Sequence, residues 1–264
     1  MPADERGYAE RRATIITVAQ PSIGVTTHVG RVAVISNAYY VATAEAASRS
    51  AELKIREQIR AESSVAPLRD ALADFDVRSL ALAATQRALV KLPWLKAEDP
   101  SLADGPPGVT AMLAMSVDKP RLVQIDYRYA LSPDFAQIRV LAQISLRRRA
   151  QKPGANPDTS FRQVAVCVAP LRRPDYEHFK NVRIWSADRA KLARHALTDC
   201  FGRMANLIPY ALNLTDQGLA SLNAKTHLRA YGAGLYAPVI ERDDADRQQL
   251  MLWSDGPVDI RPVP

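Results

Sequence analysis

Arg121–Arg149 reads RLVQIDYRYALSPDFAQIRVLAQISLRRR, and this stretch decides the fold class. In its first arm Val123, Ile125, Tyr127 and Tyr129 alternate with Gln124, Asp126 and Arg128. In its second arm Ile138, Val140, Ala142, Ile144 and Leu146 alternate with Gln137, Arg139, Gln143, Ser145 and Arg147, with Leu141 the one exception. Strict period-2 alternation on both sides of a turn, Leu131-Ser132-Pro133-Asp134-Phe135, predicts a β-hairpin. One face is apolar and the other carries Arg and Gln, as in an antiparallel sheet packed on one side.

Working outward, Phe161–Ala169 (FRQVAVCVA) reads as a third strand of the same sheet, with Cys167 and Ala165 on the face opposite Val164, Val166 and Val168. From Ser186 a helix follows whose stripe of Ala193, Ala196, Leu197, Cys200, Phe201, Met204, Leu207 and Ile208 is placed to cover the apolar face; Pro209 should stop or bend it. Residues 170–184 read as irregular, ending in a strand-like NVRI. Upstream of the hairpin, Ala13–Ile35 is β-rich, and about Thr43 to Glu62 has helical spacing. Asp76 has the look of an N-cap, with Phe75 and Leu80 as a hydrophobic staple, for a helix from Val77 to about Leu92 that is apolar around much of its girth. Leu228–Ile240 and Gln249–Trp253 form a second hairpin-like pair, and GPVDIRPVP is an extended tail.

Strands in runs, rather than strict βαβ alternation, predict an α+β fold: a mainly antiparallel sheet of long hairpins with helices on one face. The division is a flexible segment at 1–12 and one domain at 13–264, with the breaker-rich 97–108 as a candidate internal boundary. At 264 residues such a chain buries roughly 70–75% of its unfolded surface and needs no metal or disulfide staple.

Composition excludes more than it assigns. Apolar residues at 47% and charged residues at 24% are ordinary for a globular protein and exclude global disorder. Two cysteines, Cys167 and Cys200, are too few for a disulfide framework; both lie on apolar faces, as buried thiols or as a single bridge in an oxidising compartment. No run of about 18 apolar residues marks a transmembrane helix, and the charged start MPADERGYAERR has no secretory apolar segment. Taken as written, the chain reads as cytoplasmic; behind a removed signal peptide it would be periplasmic or belong to the cell envelope.

Catalytic and cofactor patterns do not emerge. There is no G-x-S-x-G, and His28, His178, His195 and His227 have no metal-ligand spacing. The acidic knot at Asp243–Asp246 lacks the glycine and glutamate of a calcium loop, and Gly232-Ala233-Gly234 is followed by a proline rather than a helix. No cofactor is expected, and catalytic and metal sites are left unassigned.

The leading expectation is therefore a non-enzymatic binding or assembly protein of bacterial type, joined to a protein partner or to itself. Trp94, Tyr236 and Trp253 are its candidate interface residues. A net charge of +7 opens a second reading, an anionic polymer such as nucleic acid held by Arg128, Arg139 and Arg147 on the wet sheet face. A third, an enzyme of unfamiliar type, would use acids such as Asp126 or Asp134.

Overall fold

In a computed structural model the described residues are 3–20, 22–25, 62–105, 108, 121–148, 158–215, 217, 228–231, 235–243, 248–253 and 256–263. The strands are β1 (Ala13–Val18), β2 (Gly24–Val25), β3 (Ser101–Ala103), β4 (Arg121–Leu131), β5 (Gln137–Arg148), β6 (Asp158–Pro170), β7 (Leu228–Tyr231), β8 (Leu235–Asp243), β9 (Gln248–Trp253) and β10 (Gly256–Ile260). The helices are α1 (Ala3–Arg6), α2 (Ala66–Ala71), α3 (Val77–Val90) and α4 (His178–Asn213), with a 3-10 turn at Pro93–Leu95. The expected helix over 43–62 falls almost wholly outside the described residues, as does Gly232-Ala233-Gly234.

The hairpin is β4 and β5, paired in register from Arg121↔Arg148 to Leu131↔Ile138. Its turn is held by side chains: Gln137 N donates to Ser132 Oγ (3.0 Å) and Ala136 N to Asp134 Oδ1 (3.1 Å), while Phe135 takes a left-handed φ of 54°. β6 continues the antiparallel run beside β5.

The sheet as a whole is mixed, which corrects the expectation of a mainly antiparallel one. Its order is β3-β1-β4-β5-β6-β10-β9-β8-β7, with β2 also beside β4. β1 runs parallel to both β3 and β4, β2 parallel to β4, and β10 parallel to β6. Alternation reports that a strand has two faces and is silent on its partner and direction. The parallel signal was in β1 itself: five of the six residues of ATIITV are buried, because a strand inside a parallel run is covered on both faces. The chain from β1 to β4 passes through α2 and α3, the kind of long crossover that a parallel pair needs. α+β remains the class.

At the other side of the meander, β10 sits between β6 and β9, so the expected extended tail is an interior strand. Gly256 makes this possible. Its φ is +139°, and a Cβ there would lie 1.9 Å from the Val164 carbonyl oxygen.

The helices cover the face bearing Val123, Ile125, Tyr127, Ile138, Val140, Ile144, Ala165 and Cys167, which form one core with the α4 stripe. Every residue of that stripe, from Ala193 to Ile208, is buried, and each Leu- or Phe-sized member stabilises the fold by roughly 1.5–3 kcal/mol. Tyr127 packs on Phe201 with ring centroids 5.5 Å apart, and its hydroxyl lies 2.8 Å from Thr85 Oγ1 of α3. Cys167 of β6 and Cys200 of α4 are joined as a disulfide inside this core.

Three local expectations change. Helix α4 begins at His178, within the stretch read as irregular; Trp185 anchors this first part by donating to Phe135 O (2.7 Å). The helical path is broken at Ala187–Ala190, where Asp188, Arg189 and Ala190 have φ of 50–58°, and Pro209 sits inside α4 without ending it. Helix α3 is one-sided rather than buried around its girth: Val77, Ala81, Ala84, Thr85 and Ala88 face the core while Val90 is 83% exposed.

Residues 3–12 are tied to the end of the sheet. Arg12, fully buried, donates to Leu95 O (2.5 Å) and Glu5 O (2.6 Å), and the Glu5 carboxylate pairs with Arg12 (3.2 Å) and Arg121 (2.8 Å). Burial alone would raise the Glu5 carboxyl. Hydrogen bonds from Ser160, Arg121 and Arg12, with the Arg121 charge, outweigh it and hold the group below the ordinary range.

Candidate functional site

Three parallel strands, β3, β1 and β4, end on the same side of the sheet, and a cleft of about 410 Å³ opens there. Its walls are the chain leaving β1 (Val18, Ala19, Gln20), the chain leaving β3 (Asp104, Gly105), Tyr129 near the end of β4, and the start of α3 (Phe75–Arg78). Cleft formation at the carboxyl ends of parallel strands follows from topology. Each strand must leave the sheet there, and the diverging connections leave a crevice.

Local chemistry sets each group. Asp76 caps α3: its Oδ1 accepts from Ser79 N (3.0 Å), and the Ser79 hydroxyl donates to its other oxygen. The bond from the Ser79 side chain, then that from its backbone, holds the Asp76 carboxyl below its usual range. Arg78 pairs with Asp104 across the mouth, and both side chains are solvent-exposed. Gln20 donates its side-chain amide to Tyr129 O, which fixes the chain leaving β1 against β4.

Tyr129 is the exceptional member. Only 4% of it is exposed, and burial pushes its hydroxyl up to about 12. Tyr127, two residues earlier on the same face, meets Thr85. The neighbours of Tyr129 in and beside the cleft are Phe75, Val77, Ile23 and Leu197. Among the described residues the cleft wall combines Val18, Phe75 and Val77 with the Tyr129 phenol, and Asp76, Asp104 and Arg78 stand at its mouth.

The residues singled out from sequence are not gathered at this site. Arg128, Arg139 and Arg147 lie on the sheet face away from α3 and α4. Arg128 is exposed, Arg139 is half-buried and donates to Gln137 Oε1 (2.9 Å), and Arg147 is half-buried at the far end of β5. That face is drier than its Arg and Gln content implied: Ile15, Gln124, Leu122 and Ser145 on it are all buried. Trp94 is half-buried; it donates to Asn213 Oδ1 (3.0 Å) and lies under the Arg6 guanidinium (5.5 Å). Tyr236 falls on β8 opposite Ala230, and Trp253 on β9 opposite Gly256.

The two acids considered for catalysis are engaged in local structure. Asp126 accepts from Thr17 and from Gln124 (2.8 and 2.9 Å), and Asp134 from Ser132 and Ala136 N. On α4, Asp199 pairs with Arg203 (2.7 Å).

Sequence reasoning did not find Tyr129 as a site residue. Alternation places it correctly on the apolar face, but nothing in the local pattern shows that the strand end opens onto a cleft. The Asp76 cap and the breaker cluster at 97–108 were the nearest signals, since both mark chain turning at one end of the sheet.

These features define a mixed-sheet α+β protein with a strand-end cleft. No protein-family model, curated protein or solved structure matches the chain.

Proposed function

We propose that this chain is a binding protein that holds a ligand or partner at the strand-end cleft and works in an oxidising compartment. The observation that carries the binding reading is the cleft itself: about 410 Å³ at the ends of three parallel strands, with Tyr129 on its wall and Asp76, Arg78 and Asp104 at its mouth. The volume falls in the roughly 300–1,000 Å³ range of small-ligand and side-chain pockets.

The compartment reading rests on the Cys167–Cys200 bridge, because structural disulfides persist outside the reducing cytoplasm. It favours the periplasmic or envelope alternative over the cytoplasmic one. Among the described residues no helix is long and apolar enough to cross a membrane.

Photo-crosslinking in the native cell tests the binding reading. A photoreactive residue replacing Arg78 at the mouth should give a discrete adduct, whereas one replacing Gln86, exposed two turns along α3, should not. Equal yields from both positions, or none from position 78, would refute it.

A further inference from the structure

We propose that Arg194 is a latch that couples the wall of the cleft to a strained left-handed turn inside α4, and that its release frees the first part of that helix, His178–Ser186, from the β4–β5 turn. This rests on the reading of the cleft as a binding site and adds a conformational device to it.

The strain is local. Asp188, Arg189 and Ala190 take φ of 50°, 55° and 58° with ψ of 47°, 43° and 33°. In that region an L-residue crowds its Cβ against the following carbonyl oxygen, so it is visited singly, and mostly by glycine, asparagine or aspartate. Three such residues in a row, two of them Arg and Ala, persist only where the surroundings hold them. On one side the hold is Trp185, fully buried, whose indole N–H donates to Phe135 O (2.7 Å). Asn181 joins it, its side-chain amide donating to Asp134 O (3.1 Å). On the other side Ala190 and Ala193 are packed in the core.

Arg194 closes the turn. Its Nε donates to Arg189 O (3.0 Å), and its Nη2 donates to Ala71 O (2.6 Å) and pairs with Asp74. Its guanidinium also lies over the Phe75 ring, 5.5 Å from the centroid. Ala71, Asp74 and Phe75 sit at the end of α2 and in its link to α3, and Phe75 lines the cleft. One planar guanidinium thus grips a strained carbonyl together with the segment that carries the cleft wall. A group that enters the cleft and displaces Phe75 pulls on Arg194. Loss of the bond to Arg189 O then lets 188–190 relax towards right-handed backbone, which rotates the first part of α4 and draws Trp185 away from Phe135 O.

Solvent exchange of the Trp185 indole N–H, its resonance assigned by loss in Trp185→Phe, reads the release. Arg194→Met keeps an apolar stem without the donors and should speed this exchange about tenfold, while amides of β4 and β5 keep their rates. Glycine fits a left-handed turn, so Arg189→Gly should slow the exchange about threefold relative to Arg189→Ala, in the parent and in Arg194→Met alike. Phe75→Leu keeps an apolar side chain without a π face. It should speed the exchange about threefold, and this effect should vanish in the Arg194→Met protein.

Faster exchange with glycine than with alanine at 189 would mean an unstrained turn and would overturn the proposal. So would an unchanged rate in Arg194→Met, or equal acceleration of the β4 and β5 amides. If Phe75→Leu acts equally with and without Arg194, or not at all, the coupling to the cleft is overturned; crosslinking at position 78 decides the binding reading separately.

Discussion

Replacing Gly256 by alanine should detach the last part of the sheet. At φ +139° an L-residue is strained by about 1–3 kcal/mol whatever the space around it. Here there is no space: the new Cβ would sit 1.9 Å from the Val164 oxygen and 2.9 Å from its carbonyl carbon. Both atoms belong to the backbone of β6, which is locked to β5, so β10 must move. Movement loosens the parallel pairing Val258↔Val166, Asp259↔Cys167 and Ile260↔Val168, and with it the Arg203–Asp259 contact (3.3 Å) to α4. Strain and lost contacts together put the cost at about 3 kcal/mol or more. Urea unfolding measures it, and native-state hydrogen exchange should show protection lost over 248–263 while β4 and β5 keep theirs. Gly202→Ala is the control. It lies in α4 with nothing within 4 Å of its added Cβ, and should stabilise by about 0.5–1 kcal/mol. A Gly256→Ala protein as stable as the parent would refute the placement of β10 between β6 and β9.

Other perturbations test the ties around the core. Glu5 has a lowered folded pKa, so its contribution is complete above its unfolded value near 4.5 and is lost as pH falls through the folded value. Glu5→Gln should flatten that acid limb of a stability–pH curve and cost about 3 kcal/mol at pH 7, because Arg12 stays buried without its counter-charge. Thr85→Val leaves the buried Tyr127 hydroxyl without its partner and should cost about 1–3 kcal/mol by thermal or urea unfolding. Cys167→Ala with Cys200→Ala opens a loop of 33 residues and should lower stability by about 3.5–4 kcal/mol, matched in the parent by reductant under unfolding conditions.

Sequence and structure agree where information is local. The β4–β5 hairpin and its turn, the Asp76 cap and the α4 stripe are all written in spacing between near neighbours, and each is present. What alternation leaves open is long-range. ATIITV announces a strand, but its parallel seat between β3 and β4 depends on residues about a hundred positions away. β3 hides in a proline-rich segment because a three-residue edge strand shows no periodicity. The start of α4 at His178 is masked by prolines just upstream; its anchor, Trp185 to Phe135 O, is a tertiary contact. Cys167 and Cys200 were each legible as inward-facing, and their pairing required knowing that α4 crosses β6 at that level.

The compartment claim is tested most directly by the thiol state of the chain in the cell that makes it. Cells quenched in acid, then alkylated with and without prior reduction, report Cys167 and Cys200 by mass spectrometry. A protein working in an oxidising compartment should show both residues blocked until reduced, and a peptide linking them after digestion. Both residues alkylated without reduction would contradict the account.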